Sequence, residues 1–165
     1  MLSCTFIFAQ KTKTESMGDL FLLLVPLSGY TQTFIKDDCE GTKELSLSIL
    51  STLGSTYLLK YSVKKERPNN KDNLSFPSGH TSISFSASTF IYKRYGVKYA
   101  ILPYLASIYV GYSRVYAKQH DNLDVISGGV VGIISSLYFT SSFKGIQVQP
   151  LTKNGCSGFL LKYKW

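Results

Sequence analysis

Five uncharged apolar stretches run along the chain, at residues 20–35, 45–59, 81–92, 99–113 and 125–143. Each is rich in Leu, Ile, Phe, Tyr and small residues, and each is read as a helix. Charged segments separate them: 36–44 (KDDCEGTKE), 60–72 (KYSVKKERPNNKD), 93–98 (KRYGVK) and 114–124 (RVYAKQHDNLD). Helices joined by short links run antiparallel. The pattern therefore predicts an all-α fold, an antiparallel helical bundle of about five to six helices with both histidines and most motif-like charge at one end. Segments 60–80 and 114–124 fall at that end, and links 36–44 and 93–98 at the other. A membrane-spanning helix needs roughly 18–20 apolar residues, and 125–143 meets that length. The other stretches are shorter and rich in Ser and Thr. They either span with flanking Lys and Tyr snorkelling or form a buried soluble core.

The ends differ from the middle. Residues 1–10 (MLSCTFIFAQ) are apolar but short and lack a positive leader. They read as a truncated secretory signal or as a frayed terminus. Residues 11–143 make the helical domain. Residues 144–165 alternate weakly and contain Asn154-Gly155, a turn signal, which predicts a short hairpin or extended tail.

Composition narrows the class. Aromatic residues make up 14% of the chain, which excludes a disordered polypeptide. The three cysteines are scattered and form no CxxC pair, which excludes a zinc ribbon or a dense disulfide framework. The net charge is +8, yet the basic residues are dispersed between apolar helices. No nucleic-acid module is visible. The two histidines, His80 and His120, are the only imidazoles available for chemistry.

Three clusters gather at one pole. In KYSVKKERP, Lys60 and Arg67 lie seven residues apart, close to two helical turns, so both are expected to point the same way and suit an oxyanion. Pro68 is expected to end that helix. In PSGH, Ser78 suits an N-cap and Gly79 lets the backbone approach a ligand. His80 then stands at an anion-binding helix N-terminus, where it can give a proton to a leaving oxygen. In the third cluster, His120 and Asp124 are i and i+4. The carboxylate can hold one ring nitrogen protonated and free the other as a nucleophile or base. Arg114 adds a fork for phosphate oxygens. Read singly, each cluster is equally a solvated cap or a surface ion pair. A metal site at His120, Asp121 and Asp124 is disfavoured, because Lys60, Arg67 and Arg114 crowd the same pole and repel a divalent ion.

Read together, the clusters leave little room for those bland alternatives. Lys60-x6-Arg67-Pro68, Pro77-Ser78-Gly79-His80 and Ser113-Arg114-x5-His120-x3-Asp124 resemble the three-part signature of the type-2 phosphatidic acid phosphatase and vanadium haloperoxidase superfamily. All eleven fixed positions match in order, and the resemblance covers about residues 45–143. The resemblance implies catalytic roles for His120, His80 and Asp124, and phosphate binding by Lys60, Arg67, Ser78, Gly79 and Arg114. His120 would attack phosphorus, Asp124 would orient it, and His80 would protonate the leaving alkoxide. No cofactor and no metal is implied. Membrane members of the superfamily usually carry six spanning helices, one more than the clear stretches here.

The leading expectation is a metal-independent phosphatase acting on a lipid phosphate or diphosphate at a membrane surface. A soluble periplasmic acid phosphatase of broad range is the alternative, followed by a non-catalytic membrane interaction protein. A haloperoxidase is disfavoured by size. Charge at the two poles and the residue 1–9 stretch lean toward a bacterial membrane or periplasmic setting with the site facing the periplasm. The partner expected is the phosphate substrate with a membrane, and no nucleic acid.

Overall fold

The computed structural model describes residues 12–143 in full and the backbone of 145–153 and 156–164. Segment 1–10, read above as a signal or frayed end, lies outside the described residues. The five helices are α1 (Lys13–Ile35), α2 (Cys39–Val63), α3 (Gly79–Tyr95), α4 (Val97–Tyr116) and α5 (Asn122–Phe139). They form the antiparallel bundle that the apolar stretches predict. Strands β1 (Gly145–Lys153) and β2 (Cys156–Lys164) then pair antiparallel as a hairpin, with Lys153 opposite Cys156.

The helices run past the apolar stretches because polar residues cap them. Thr12 accepts from the Glu15 amide at 3.3 Å, and Asp38 from the Gly41 amide at 3.0 Å. The charged link expected at 36–44 is therefore mostly the first turn and a half of α2. Gly96 (φ 96°) ends α3 and begins α4, so one residue that tolerates positive φ makes the whole reversal. Asp121 and Asp124 form a reciprocal capping box at the start of α5.

Helix α3 is the centre of the bundle and touches all four other helices. Its buried positions are small and hydroxylic: Thr81, Ser82, Ser84, Ser86, Ala87, Ser88 and Thr89. Small side chains let backbones approach closely. The Gly128-x3-Gly132 face of α5 lies directly on α3: a Cβ on Gly132 would fall 2.1 Å from the Ser82 carbonyl oxygen. The buried hydroxyls pair across helices, Thr52 with Ser86 and Thr56 with Ser82 at 3.0 Å, and Ser88 with Ser107 at 2.8 Å. This satisfies groups that would otherwise be costly to bury.

A compact apolar cluster of Val25, Leu45, Ala87, Phe90, Ile91 and Ala100 fills the half of the bundle away from the motifs. At that pole Arg94 is buried and grips Asp38 through two bonds of 2.6 and 2.7 Å, and Glu44 at 2.9 Å. The Tyr95 hydroxyl donates to Asp38 at 2.8 Å. The large aliphatic side chains mostly face outward: Leu23, Leu27, Leu50, Leu58, Leu102, Leu105, Ile108, Ile126 and Ile134 are all exposed.

The Gly132 contact is backbone against backbone, so it cannot relax cheaply. Gly132→Ala should cost about 1–3 kcal/mol of stability by overpacking. Gly54→Ala, where a Cβ meets open space, should be neutral or stabilise by about 0.5–1 kcal/mol. Thermal unfolding of the two variants in detergent checks both; equal midpoints would refute the packing account.

Candidate active site

The site is assembled from four helix ends and one loop. Lys60 sits in the last turn of α2, nearly buried, and its ammonium donates to the Leu74 carbonyl at 2.6 Å. Helix α2 stops at Val63, where Lys64 turns left-handed (φ 48°). Arg67 therefore does not continue the helix, and the two-turn spacing expected to align it with Lys60 is not what brings them together. A folded loop does. The Arg67 amide bonds the Asp72 carbonyl at 3.0 Å, the Asp72 carboxylate accepts from Arg67 Nε at 2.7 Å, and the Ser75 amide bonds the Lys65 carbonyl at 2.9 Å.

His120 also differs from expectation. It precedes α5 rather than lying on it, with Asp121 as the N-cap. Its Nδ1 lies 3.7 Å from Asp124 Oδ2, facing the carboxylate without a hydrogen bond of ordinary geometry. Its Nε2 lies 3.4 Å from Arg67 Nη1. Asp124 is fully buried. It accepts from Lys65 Nζ at 2.9 Å, from Ser75 Oγ at 2.5 Å and from the Asp121 amide at 3.1 Å. The Asp124 carbonyl accepts from the Ser78 amide at 2.9 Å, which ties the PSGH turn to α5.

Lys60, Arg67, Gly79, His80 and His120 line one cavity of about 300 Å³. Leu22, Leu53, Tyr57 and Ile83 supply an apolar wall, and Gln119 a polar one. Three larger depressions, about 420 Å³ between α1 and α4, about 630 Å³ beside Asp38 and about 330 Å³ between α4 and α5, carry neither histidine. Gly79 and His80 open α3, so amides of the first turn have no intrahelical acceptor and suit an anion.

Two expected phosphate ligands lie behind the wall. Ser78 is the N-cap residue by position, but its hydroxyl pairs with Thr81 Oγ1 at 3.0 Å, is fully buried and makes no cap bond. Arg114 is 1% exposed. Its guanidinium is held by the Glu15 carbonyl at 2.9 Å, Ser113 Oγ at 3.2 Å and Asp19 Oδ1 at 2.9 Å. The same Asp19 oxygen lies 3.3 Å from His80 Nε2.

The cavity holds His120 neutral. Burial first, then the charges of Arg67 and Lys60, push its pKa down to about 4, against the opposing pull of Asp124 and the Ser75 backbone. A neutral ring with a lone pair at Nε2 is a nucleophile at neutral pH.

Sequence reasoning passed over Asp19, Lys65, Ser75 and Gln119. A lone acid at the edge of an apolar stretch, as in MGDLFLLL, was the available signal for Asp19. Lys65 and Ser75 stand inside or beside motif segments, but nothing in their spacing shows that they converge on Asp124.

The chain matches the family model of the PAP2 superfamily over residues 41–147. It is 33% identical over 141 residues to a lipid A 4'-phosphatase of Helicobacter pylori, covering 79% of this chain and 71% of that protein. It is 35% identical over 78 residues to a lipid A 1-phosphatase of Porphyromonas gingivalis, which is 46% of this chain and 18% of that longer one. The crystal structure of Aquifex aeolicus LpxE is similar with a TM-score of 0.64 at 25% identity, over 79% of this chain and 87% of that one. The matched region holds all three motifs and the cavity lining other than Leu22, and the likeness extends to the helical frame around them: the chain belongs to the PAP2 superfamily.

Proposed function

We propose that this chain is a metal-independent phosphatase that hydrolyses a lipid phosphate through a phosphohistidine. One observation carries the reading. A neutral His120 presents Nε2 into a cavity shared with Lys60, Arg67 and His80. Lys60, Arg67 and the first amides of α3 hold the phosphoryl oxygens and stabilise charge as it develops. His120 Nε2 attacks phosphorus, so a P–N bond forms as the P–O bond to the leaving group breaks. His80 gives the leaving oxygen its proton. The now neutral His80 then takes a proton from water, whose oxygen attacks phosphorus and releases His120. Arg114 acts from behind the wall by its charge, and Ser78 by anchoring the turn. The cationic field makes the site one for anions rather than a divalent ion. Among the described residues no group of three His, Cys, Asp or Glu side chains is placed to hold a metal.

The apolar wall beside the cationic floor suits a phosphate carried on an apolar body, which supports a lipid. The lipid A phosphatases of Helicobacter pylori and Porphyromonas gingivalis point to lipid A as the first substrate to try. The outward Leu and Ile side chains support a membrane setting. Exposed tyrosines mark both ends of that apolar belt: Tyr57, Tyr61, Tyr112 and Tyr116 at the site pole, Tyr92, Tyr99 and Tyr138 at the other. Tyr99 and Tyr116 are separated by roughly 25 Å along α4 at about 1.5 Å per residue, near the thickness of a hydrocarbon core. Among the described residues α5 alone is long and apolar enough to cross by composition. In α2 and α3 the inward Ser and Thr dilute the average.

Phosphate release from lipid A, phosphatidate and p-nitrophenyl phosphate by purified protein tests the function. Activity should survive EDTA and fall in vanadate, whose trigonal-bipyramidal adduct resembles the transition state. Chelator-sensitive turnover restored by Mg²⁺ would overturn the mechanism. His120→Ala should abolish release and covalent labelling by radiolabelled substrate. Asp124→Asn should bind phosphate but turn over about 10²–10⁴-fold more slowly, by analogy with the orienting carboxylate of an acyl-transfer triad. Labelling that persists in His120→Ala would remove His120 as the nucleophile.

The neutral state of His120 also has a stability signature. Its folded pKa, about 4, lies below the ordinary 6.5 of an exposed imidazole. Between those values the unfolded chain binds the extra proton, so stability falls as pH drops from 6.5 toward 4. His120→Gln has no such proton to bind. The thermal midpoint of the native chain should therefore fall relative to that of His120→Gln as pH drops through this window; parallel curves would contradict a neutral buried His120.

A further inference from the structure

The role of His80 as leaving-group acid meets an electrostatic difficulty. Lys60 on α2 and Arg67 on the following loop line its cavity, and Arg114 on α4 stands just behind. Three cations favour a neutral imidazole, whereas a general acid has to carry its proton at working pH. The uncharged or neutral neighbours, Tyr57 on α2 and His120 before α5, do not offset them. Most nearby carboxylates are engaged elsewhere. Glu15 on α1 bonds the Gln119 amide, Asp72 holds Arg67, and Asp121 and Asp124 on α5 hold Lys65.

Among the described residues, Asp19 on α1 is a carboxylate that reaches His80. Its Oδ1 stands 3.3 Å from His80 Nε2 and 2.9 Å from Arg114 Nη1. Neither contact has the geometry of an ordinary hydrogen bond, so the pairing is electrostatic, and neighbouring contacts seat this part of α1 on α4. Arg114 Nη2 grips the Glu15 carbonyl one turn earlier at 2.9 Å. A Cβ on Gly18 would lie 2.0 Å from Ser113 Oγ, so α1 is seated directly on α4 beside Asp19.

We propose that Asp19 is a positioning residue for the reaction, holding His80 as an oriented imidazolium against the surrounding cations. The proposal rests on the phosphatase reading above. Asp19 belongs to none of the three motifs and precedes the residues 41–147 matched by the family model. In the first step the imidazolium passes its proton to the leaving oxygen as the P–O bond breaks. In the second the neutral ring takes the proton of the attacking water. Asp19 stabilises the charged ring before the first step and after the second.

The test compares the native chain, Asp19→Asn and Asp19→Glu in detergent, on an alkyl phosphate and on p-nitrophenyl phosphate across pH. In Asp19→Asn the alkaline limb of the alkyl phosphate profile should move about one pH unit toward acid. Its rate at neutral pH should fall about tenfold more for the alkyl than for the aryl substrate, whose leaving group needs little protonation. Asp19→Glu should recover most of the loss. An unmoved limb, or equal losses on both substrates, would overturn the proposal. A second measurement needs no Asp19 variant. In untagged His120→Ala, His80 is the sole imidazole, and its titration can be followed by NMR. It should titrate at higher pH in the folded protein than in denaturant; a midpoint at or below the denatured one refutes the pairing. That reading stands even if the native chain hydrolyses no phosphate offered, an outcome that would defeat the phosphatase reading instead.

Discussion

The site depends on one buried carboxylate. Asp124 gathers Lys65 and Ser75 from the loop after α2, its own helix start through Asp121, and the PSGH turn through its carbonyl. The loop between α2 and α3 and the start of α5 are far apart in sequence, and the loop has no helix of its own to hold it. A fully buried charge without such partners would be prohibitive. With them it becomes a knot that puts His120, Arg67 and the start of α3 around one space. Its nearness to His120, 3.7 Å from Nδ1, is one contact among several that the same group organises.

The helices carry their polarity inside out. Hydroxyls and glycines meet in the interior, and leucines and isoleucines face outward. The arrangement lets α3 touch four neighbours and lie against α5 at backbone range. Such closeness brings helix ends near enough for short side chains to form a common cavity. It also leaves the interior without much bulk: the aliphatic and aromatic cluster sits only in the distal half, beneath the Arg94 network. Interhelical hydroxyl pairs take over the cohesion nearer the site, where the polar interior grades into the histidines and cations that line the cavity.

Much of this was legible in the residues. The apolar stretches marked five helices, and short links implied the antiparallel order that puts both histidines at one pole. Helix ends were harder to read, because caps such as Thr12 and Asp38 carry helices into charged segments that periodicity treats as links. The motif residues do gather at one pole, but their local geometry differs in part from what spacing implies. Arg67 and His120 lie in loops, since a left-handed Lys64 and an N-capping Asp121 interrupt the helices that spacing implied. Ser78 and Arg114 face inward rather than into the cavity, which depends on which neighbour captures each donor. That competition is tertiary. It involves Thr81 for one and Asp19, Glu15 and Ser113 for the other, and leaves no trace in spacing.

The single-residue reversal at Gly96 fixes the spacing of the motifs. α3 begins at the His80 turn and α4 ends just past Arg114, and between them the chain is helical apart from that one glycine. There is no loop to absorb a change of length. An added residue in either helix rotates everything beyond it by about 100° and lifts it by about 1.5 Å, so the second and third motifs are spaced in turns rather than in residues. The first and second motifs are joined instead by an irregular loop, where length can vary freely as long as Ser75 and Lys65 still meet Asp124. Divergence in this chain's lineage is thus expected to be elastic on one side of His80 and quantised on the other.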